Sequence, residues 1–160
     1  MRTRATFFGH PIHQMLIVFP MGLLPTSFAF DVVYMITDRA QWLDISFWLL
    51  LAGIISGLIA AVFGFIDWTG IPKGTRARSV GTAHAIGNVL MLSLFAASLY
   101  LRMEAPTYWQ FLLSGLAVAL GVVTGWLGGE LVDRLGVGVE EGAHLNAPNS
   151  LTGRPASERS

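Results

Sequence analysis

Four histidines and a small set of acids are the groups in this 160-residue chain whose types and spacing could do chemistry. His10 and His13 open one apolar stretch, in GHPIHQ, and His84 and Asn88 open another, in GTAHAIGN. Asp67 closes a third stretch, and Glu130 and Asp133 follow a fourth. Ionisable and imidazole groups inside or at the ends of membrane helices are costly and tend to mark function, so four segments that each bring one to the same depth point to a shared site. Pro11 suits the first helical position, which makes His10 the expected cap and leaves His13 in the first turn with its ring free to point inward.

If the segments that begin at His13 and His84 are diagonal partners in a bundle, their imidazoles can ligate a haem iron from opposite faces. Arg76 and Arg78 would then meet the propionates, and Asn88, one turn beyond His84, would orient a ring or a ligand. A b-type haem is therefore the expected cofactor. The same end of the chain offers an alternative, a non-haem metal site built from His10, His13, His84, Asp67 and Glu130. A third reading needs no ligand: the histidines and acids form a hydrogen-bonded network that satisfies helix ends and fixes packing. Asp31 stands about five turns up the same face from His13 and is expected as a snorkelling acid at the outer surface, rather than as half of a polar path with Ser27.

The absence of cysteine excludes disulfides, thiolate zinc sites, cysteine-ligated clusters and covalent haem attachment within this chain. Ten basic and ten acidic residues leave zero net charge, so no nucleic-acid partner is expected. No nucleophile elbow, phosphate loop, zinc-protease helix or paired catalytic carboxylate motif occurs, and the residues give little support to an enzyme.

The elements that must position these groups are four spans. Hydrophobic residues make up 53% of the chain, charged residues 12%, and the mean hydropathy is +0.59, values that belong in lipid rather than in water. Stretches long enough to cross about 30 Å of hydrocarbon run over residues 13–36, 47–66, 84–101 and 109–127. The connections hold breakers: 37–44 with two acids and an arginine, 70–81 with Pro72 and Gly74, and a tight outer turn over 102–106. The expected fold is an all-α membrane protein, an up-down-up-down four-helix transmembrane bundle over residues 1–142, followed by a disordered cytoplasmic tail over 143–160.

Arg2, Arg4, Lys73, Arg76, Arg78, Arg134, Arg154 and Arg159 fall on one side, Arg39 and Arg102 on the other, so both termini are expected in the cytoplasm. Arg2 and Arg4 precede an apolar stretch too long for a signal peptide, which is read as a retained first span. Tyr34, Trp42, Trp48, Tyr100, Tyr108, Trp109, Trp68 and Trp126 sit at span ends, where amphipathic rings meet headgroups. Pro20 and Pro25 predict a kinked first helix with the Leu16 and Met21 carbonyls freed.

Gly53, Gly57 and Ala61 on span two and Gly121, Gly125 and Gly129 on span four predict tight helix seams, and the Gly53, Gly57, Gly121 and Gly125 ridges could also carry self-association. Gly57 to Trp68 has the same length and ends as Gly115 to Trp126, and a glycine shortly precedes both His13 and His84, a pattern that would fit a duplicated helical hairpin.

GHPIHQMLIVFPMGLL, GFIDWTGIPKGT, the histidine of GTAHAIGN, and TGWLGGELVDRLGVGV, in that order, resemble the bacterial membrane family catalogued as domain of unknown function 2231, over about residues 9–139. The resemblance maps the family's His-Pro-Ile-His onto His10 to His13, its Asp-Trp onto Asp67 and Trp68, and its third-helix histidine onto His84. Gln14 stands where the family usually has a second proline. The resemblance implies no established activity, and points to the bacterial inner membrane and to electron-transfer proteins as partners. The expected function is a haem- or metal-binding, redox-associated subunit. The alternatives are a structural or assembly subunit and a proton- or ion-linked transport component.

Overall fold

The computed structural model describes residues 1–104 and 107–158. A two-stranded antiparallel ribbon, β1 (Thr6–Phe7) and β2 (His10–Pro11), leads into α1 (Ile12–Leu16) and then α2 (Val18–Thr37). Three long helices follow: α3 (Gln41–Gly70), α4 (Arg76–Glu104) and α5 (Tyr108–Gly129), the last continued by a π-helical turn over Glu130–Arg134. Four helical segments are long and apolar enough to cross a membrane.

Local chemistry explains the breaks. The interruption at Ile17 lies three residues before Pro20, whose missing N–H leaves the Leu16 carbonyl without its usual donor. Helix α2 ends at Asp38, which takes up a left-handed conformation (φ 53°) and returns its N–H to the Tyr34 carbonyl. Thr107 begins α5 through a capping box with Gln110. Pro11, rather than His10, is the N-cap of α1, because Phe7 and His10 pair in the ribbon and hold His10 in extended backbone.

The helices overrun the apolar windows read from sequence, since a helix continues through the headgroup zone after its hydropathy has fallen. One consequence is large. Arg102, expected in a tight outer turn, is on α4, one turn beyond Ser98. Ala105 and Pro106 of that turn, and Arg159 near the C-terminus, lie outside the described residues.

Polarity is arranged inside out. The side chains most fully buried include Asp31, Ser27, Ser46, Ser98, Ser114 and Gln110, while Phe65, Val122, Leu58 and Trp126 are exposed. In water that arrangement would be unfavourable; with lipid as the solvent, apolar side chains face outward and polar ones must find partners inside. The apolar core is a single layer of Leu24, Leu50, Ile54, Phe95 and Ala117, with a smaller cluster of Ile71, Leu131 and Val137 under the loop at the histidine end.

The contacts define two matching halves, α1–α3 and α4–α5. In the first helices of each half, His13, Leu24, Ser27 and Asp31 match His84, Phe95, Ser98 and Arg102, each 71 positions later. In the second helices, Ser46, Gly57, Ala60 and Gly64 match Gln110, Gly121, Thr124 and Gly128, each 64 positions later. The burial of the pairs matches too: Leu24 and Phe95, Ser27 and Ser98, Ser46 and Gln110, Ala60 and Thr124 are all buried. Matching Trp68 to Trp126 gives an offset of 58, which aligns headgroup-seeking rings instead of contact residues.

The glycine seams follow the same register. A side-chain carbon at Gly53 would lie 2.6 Å from Leu24, at Gly57 2.9 Å from Leu92, and at Gly121 3.0 Å from Met91. Gly125 and Gly129, in contrast, face open space and Ala61 is exposed, so the seam on α5 passes through Gly121, Thr124 and Gly128. A spacing of seven residues stays on one helix face where a spacing of eight drifts by about 80°. Of the four glycines expected to support self-association, Gly53, Gly57 and Gly121 are engaged within the chain and Gly125 faces outward.

Candidate functional site: two buried polar pairs at opposite ends of the bundle

His13 and His84 meet. Their ring centroids are 6.5 Å apart with the planes at 87°. The interruption at Ile17 separates the short α1, which carries His13, from α2, and His84 sits two turns into α4. Each ring lies on a glycine of the next helix in its own half: a side-chain carbon at Gly64 would be 2.9 Å from His13, and at Gly128 3.1 Å from His84.

Each ring is also anchored in the same way. His13 Nδ1 donates to the Ala60 carbonyl at 2.8 Å and His84 Nδ1 to the Thr124 carbonyl at 2.9 Å. A carbonyl can only accept, so Nδ1 carries a proton in both rings, and in the neutral form of either ring Nε2 carries the lone pair. This is the orientation that a backbone partner imposes on ligating histidines. Asn88 donates its amide to His84 Nε2 at 3.1 Å and to the His84 carbonyl at 2.9 Å.

The other residues singled out from sequence have different partners. His10 is exposed, its Nε2 3.3 Å from Ser150 Oγ, and lines a cavity of about 240 Å³ with Arg2, Gln14 and Glu140. Asp67 is buried and accepts the Ala5 N–H at 2.9 Å. Glu130 pairs with Arg76 at 2.5 Å. Arg78 lies over the Trp68 ring, 3.4 Å from its centroid, and donates to the Trp68 and Ile71 carbonyls. The two arginines therefore close the ends of α3 and α5 instead of reaching toward the imidazoles. Among the described residues, no group of three or more His, Asp or Glu side chains is placed to hold a metal ion.

The second polar pair was not read from sequence. Asp31, expected as an outer-surface acid, is wholly buried and forms a two-pronged ion pair with Arg102, Nη1 to Oδ1 at 2.7 Å and Nη2 to Oδ2 at 2.6 Å. Side-chain exposure is 5% for Arg102 and 0% for Asp31. Serines complete the shell: Ser46 donates to Asp31 at 2.6 Å, and Arg102 donates to Ser46, Ser98 and Ser114. Two charges out of water are tolerable only with this geometry, and removing one partner of such a pair typically costs about 3–5 kcal/mol. A signal was present in the sequence, since Asp31 and Arg102 have the same 71-residue separation as His13 and His84.

Four spanning helices, lipid-facing apolar surfaces and internally satisfied polar groups define a multi-pass membrane protein. The chain belongs to the family DUF2231, described as a predicted membrane protein, which matches residues 9–141. No curated protein and no solved structure matches it.

Proposed function

We propose that this protein is a redox-associated subunit of the bacterial inner membrane in which His13 and His84 together hold one metal centre, a b-haem iron or a bare transition-metal ion. The observation that carries this reading is the pair of imidazoles with both Nδ1 protons committed to backbone carbonyls. With metal–imidazole bonds of about 2.0–2.1 Å, two rings facing one ion have centroids roughly 6 Å apart, close to the 6.5 Å separation here. Neutral imidazole suits iron, copper, zinc and nickel, and His13 and His84 are the residues that would hold such a centre. An iron or copper centre held there would supply one-electron chemistry, which redox-inert zinc would not, and its partners would be electron-transfer proteins of the same membrane.

The bundle is read as up-down-up-down with the histidine end and both termini in the cytoplasm. Support comes from the basic side chains at that end, and it is strengthened by Arg102, whose charge is internal and leaves Arg39 as the one cation of the opposite loops.

One observation favours the competing reading, an assembly subunit without a cofactor: Asn88 already caps His84 Nε2, so the pair is satisfied unless that amide swings away. An oxidised and a dithionite-reduced optical spectrum, with metal analysis of the same detergent-purified protein, separates the two. Haem bands, or a stoichiometric metal, lost in both His13→Ala and His84→Ala while the variants stay monodisperse, is the expected result. A colourless, metal-free, folded protein from cells supplied with haem precursor and metals would overturn it.

A further inference from the structure

We infer that the Asp31–Arg102 pair determines which helical hairpin packs against which, acting as a recognition device between the two duplicated halves. This inference does not depend on what His13 and His84 hold.

The halves are equivalent in register, and two residues at matching positions that touch each other must both lie close to the axis relating them. His13 and His84 do so at one end of the bundle, and Asp31 and Arg102 at the other. His13 and Asp31 are 18 positions apart, about 27 Å of helix, so the two contacts are well separated points on that axis. At the histidine end the two halves contribute the same residue. At the other end they contribute opposite charges.

That difference has a consequence for pairing. A first half packed against another copy of itself would set Asp31 on Asp31, and two second halves would set Arg102 on Arg102. Either arrangement buries like charges in a site from which water is excluded, which is far more costly than losing one contact. Only a first half against a second half closes the pair. The two seams are identical at His13 and His84, Ser27 and Ser98, Gly57 and Gly121, and Gly64 and Gly128, and differ in side-chain size or polarity at Ser46 and Gln110, Leu24 and Phe95, and Ala60 and Thr124, so the opposite charges are the largest difference between the halves. Shape and lipid exposure alone discriminate weakly between such similar surfaces, because apolar side chains gain nothing by leaving lipid for each other.

The shell suits the role. The neighbours that hydrogen-bond the charged groups are the hydroxyls of Ser46, Ser98 and Ser114, and a hydroxyl both donates and accepts. Ser46 and Ser98 also reach the Ser27 and Gln110 carbonyls, and Ser114 lies against Ser98, so in reversed polarity Ser114 is the hydroxyl free to turn its proton toward the carboxylate while Ser46 accepts from the guanidinium. A merely stabilising ion pair in a one-way environment would not tolerate that reversal.

The test uses the full chain with three variants, Asp31→Arg, Arg102→Asp and the double exchange Asp31→Arg/Arg102→Asp, compared by yield of monodisperse protein in detergent and by melting temperature. Each single variant is expected to lose the monodisperse species, and the exchange to recover it. Should the exchanged chain fail to accumulate, the two single variants are co-expressed under different tags. Reciprocal exchange of halves between them then closes one pair in its native polarity and one in reversed polarity, so recovery as a mixed dimer carrying both tags supports the inference. Single variants as stable as the native chain, or recovery by neither route, would overturn it.

Discussion

Placing one methyl group at Gly64 tests whether the histidine pair is set by close helix contact. The new carbon would lie 2.9 Å from both Cε1 and Nδ1 of His13, where ordinary contact begins near 3.4 Å, so the imidazole must withdraw by about half an ångström. That movement stretches the 2.8 Å bond from Nδ1 to the Ala60 carbonyl. Overpacking of this kind costs about 1–3 kcal/mol and the weakened hydrogen bond about 1 more, offset by up to about 1 kcal/mol from replacing a helical glycine by alanine. The net expectation for Gly64→Ala is a loss of about 1–3 kcal/mol. Gly125→Ala is the control: nothing lies within 4 Å of the added carbon, so only the favourable helix term, up to about 1 kcal/mol, remains. Thermal unfolding in detergent, followed by circular dichroism, should rank Gly64→Ala below the native chain and Gly125→Ala at or above it. If Gly64→Ala melts no lower than Gly125→Ala, the imidazoles are not held by the glycine seam.

Other substitutions address the remaining contacts. Gly128→Ala, with its carbon 3.1 Å from His84 Cε1, should fall between those two variants in the same melts. Arg102→Met should cost about 3–5 kcal/mol by stranding Asp31, whereas adding Asp31→Leu to it should recover most of that loss, a difference readable in a double-mutant cycle. Arg76→Ala should change stability by no more than about 1 kcal/mol despite its short ion pair with Glu130, because the arginine is well exposed. Arg78→Lys should lose the stacking on Trp68 and one of two carbonyl bonds, lowering stability by about 1–2 kcal/mol and shifting tryptophan emission. Reporter fusions at both ends should be active only as cytoplasmic reporters; activity of a periplasmic reporter at either terminus would reverse the proposed orientation.

The four apolar helices were legible because hydropathy over some 20 residues is a strong, additive signal, although the helices run beyond the windows it marks. The interruption of the first helix before Pro20 was legible because one missing N–H has a local effect. The meeting of His13 with His84 was expected from helix order, but the residues that hold the rings, Ala60, Gly64, Thr124 and Gly128, depend on helix rotation, which span length leaves open. Asp31 was misread for a related reason. A lone acid in an apolar stretch near a span end looks like a snorkelling group when its partner is 71 residues away and assigned to a loop. The overrun of α4 past its hydropathy limit hid that partner, and only the shared 71-residue offset could have exposed it.

The distance between the two polar pairs bears on the transport alternative. Leu24, Leu50, Ile54, Phe95 and Ala117 fill the bundle between them, and each of these is at most 9% exposed. A proton or ion moving from Asp31 toward His13 would cross this layer with no polar side chain of the layer to receive it, a step as unfavourable as entering the lipid itself. Within one copy of the chain, the described residues thus place an apolar layer between the two polar pairs. The outer pair is fully satisfied by arginine and serines, whereas at the histidine pair the His84 Nε2 lone pair is held only by the Asn88 amide. On the reading proposed above, exchange with the surroundings would fall to the histidine end and the ion pair would serve the pairing of the halves.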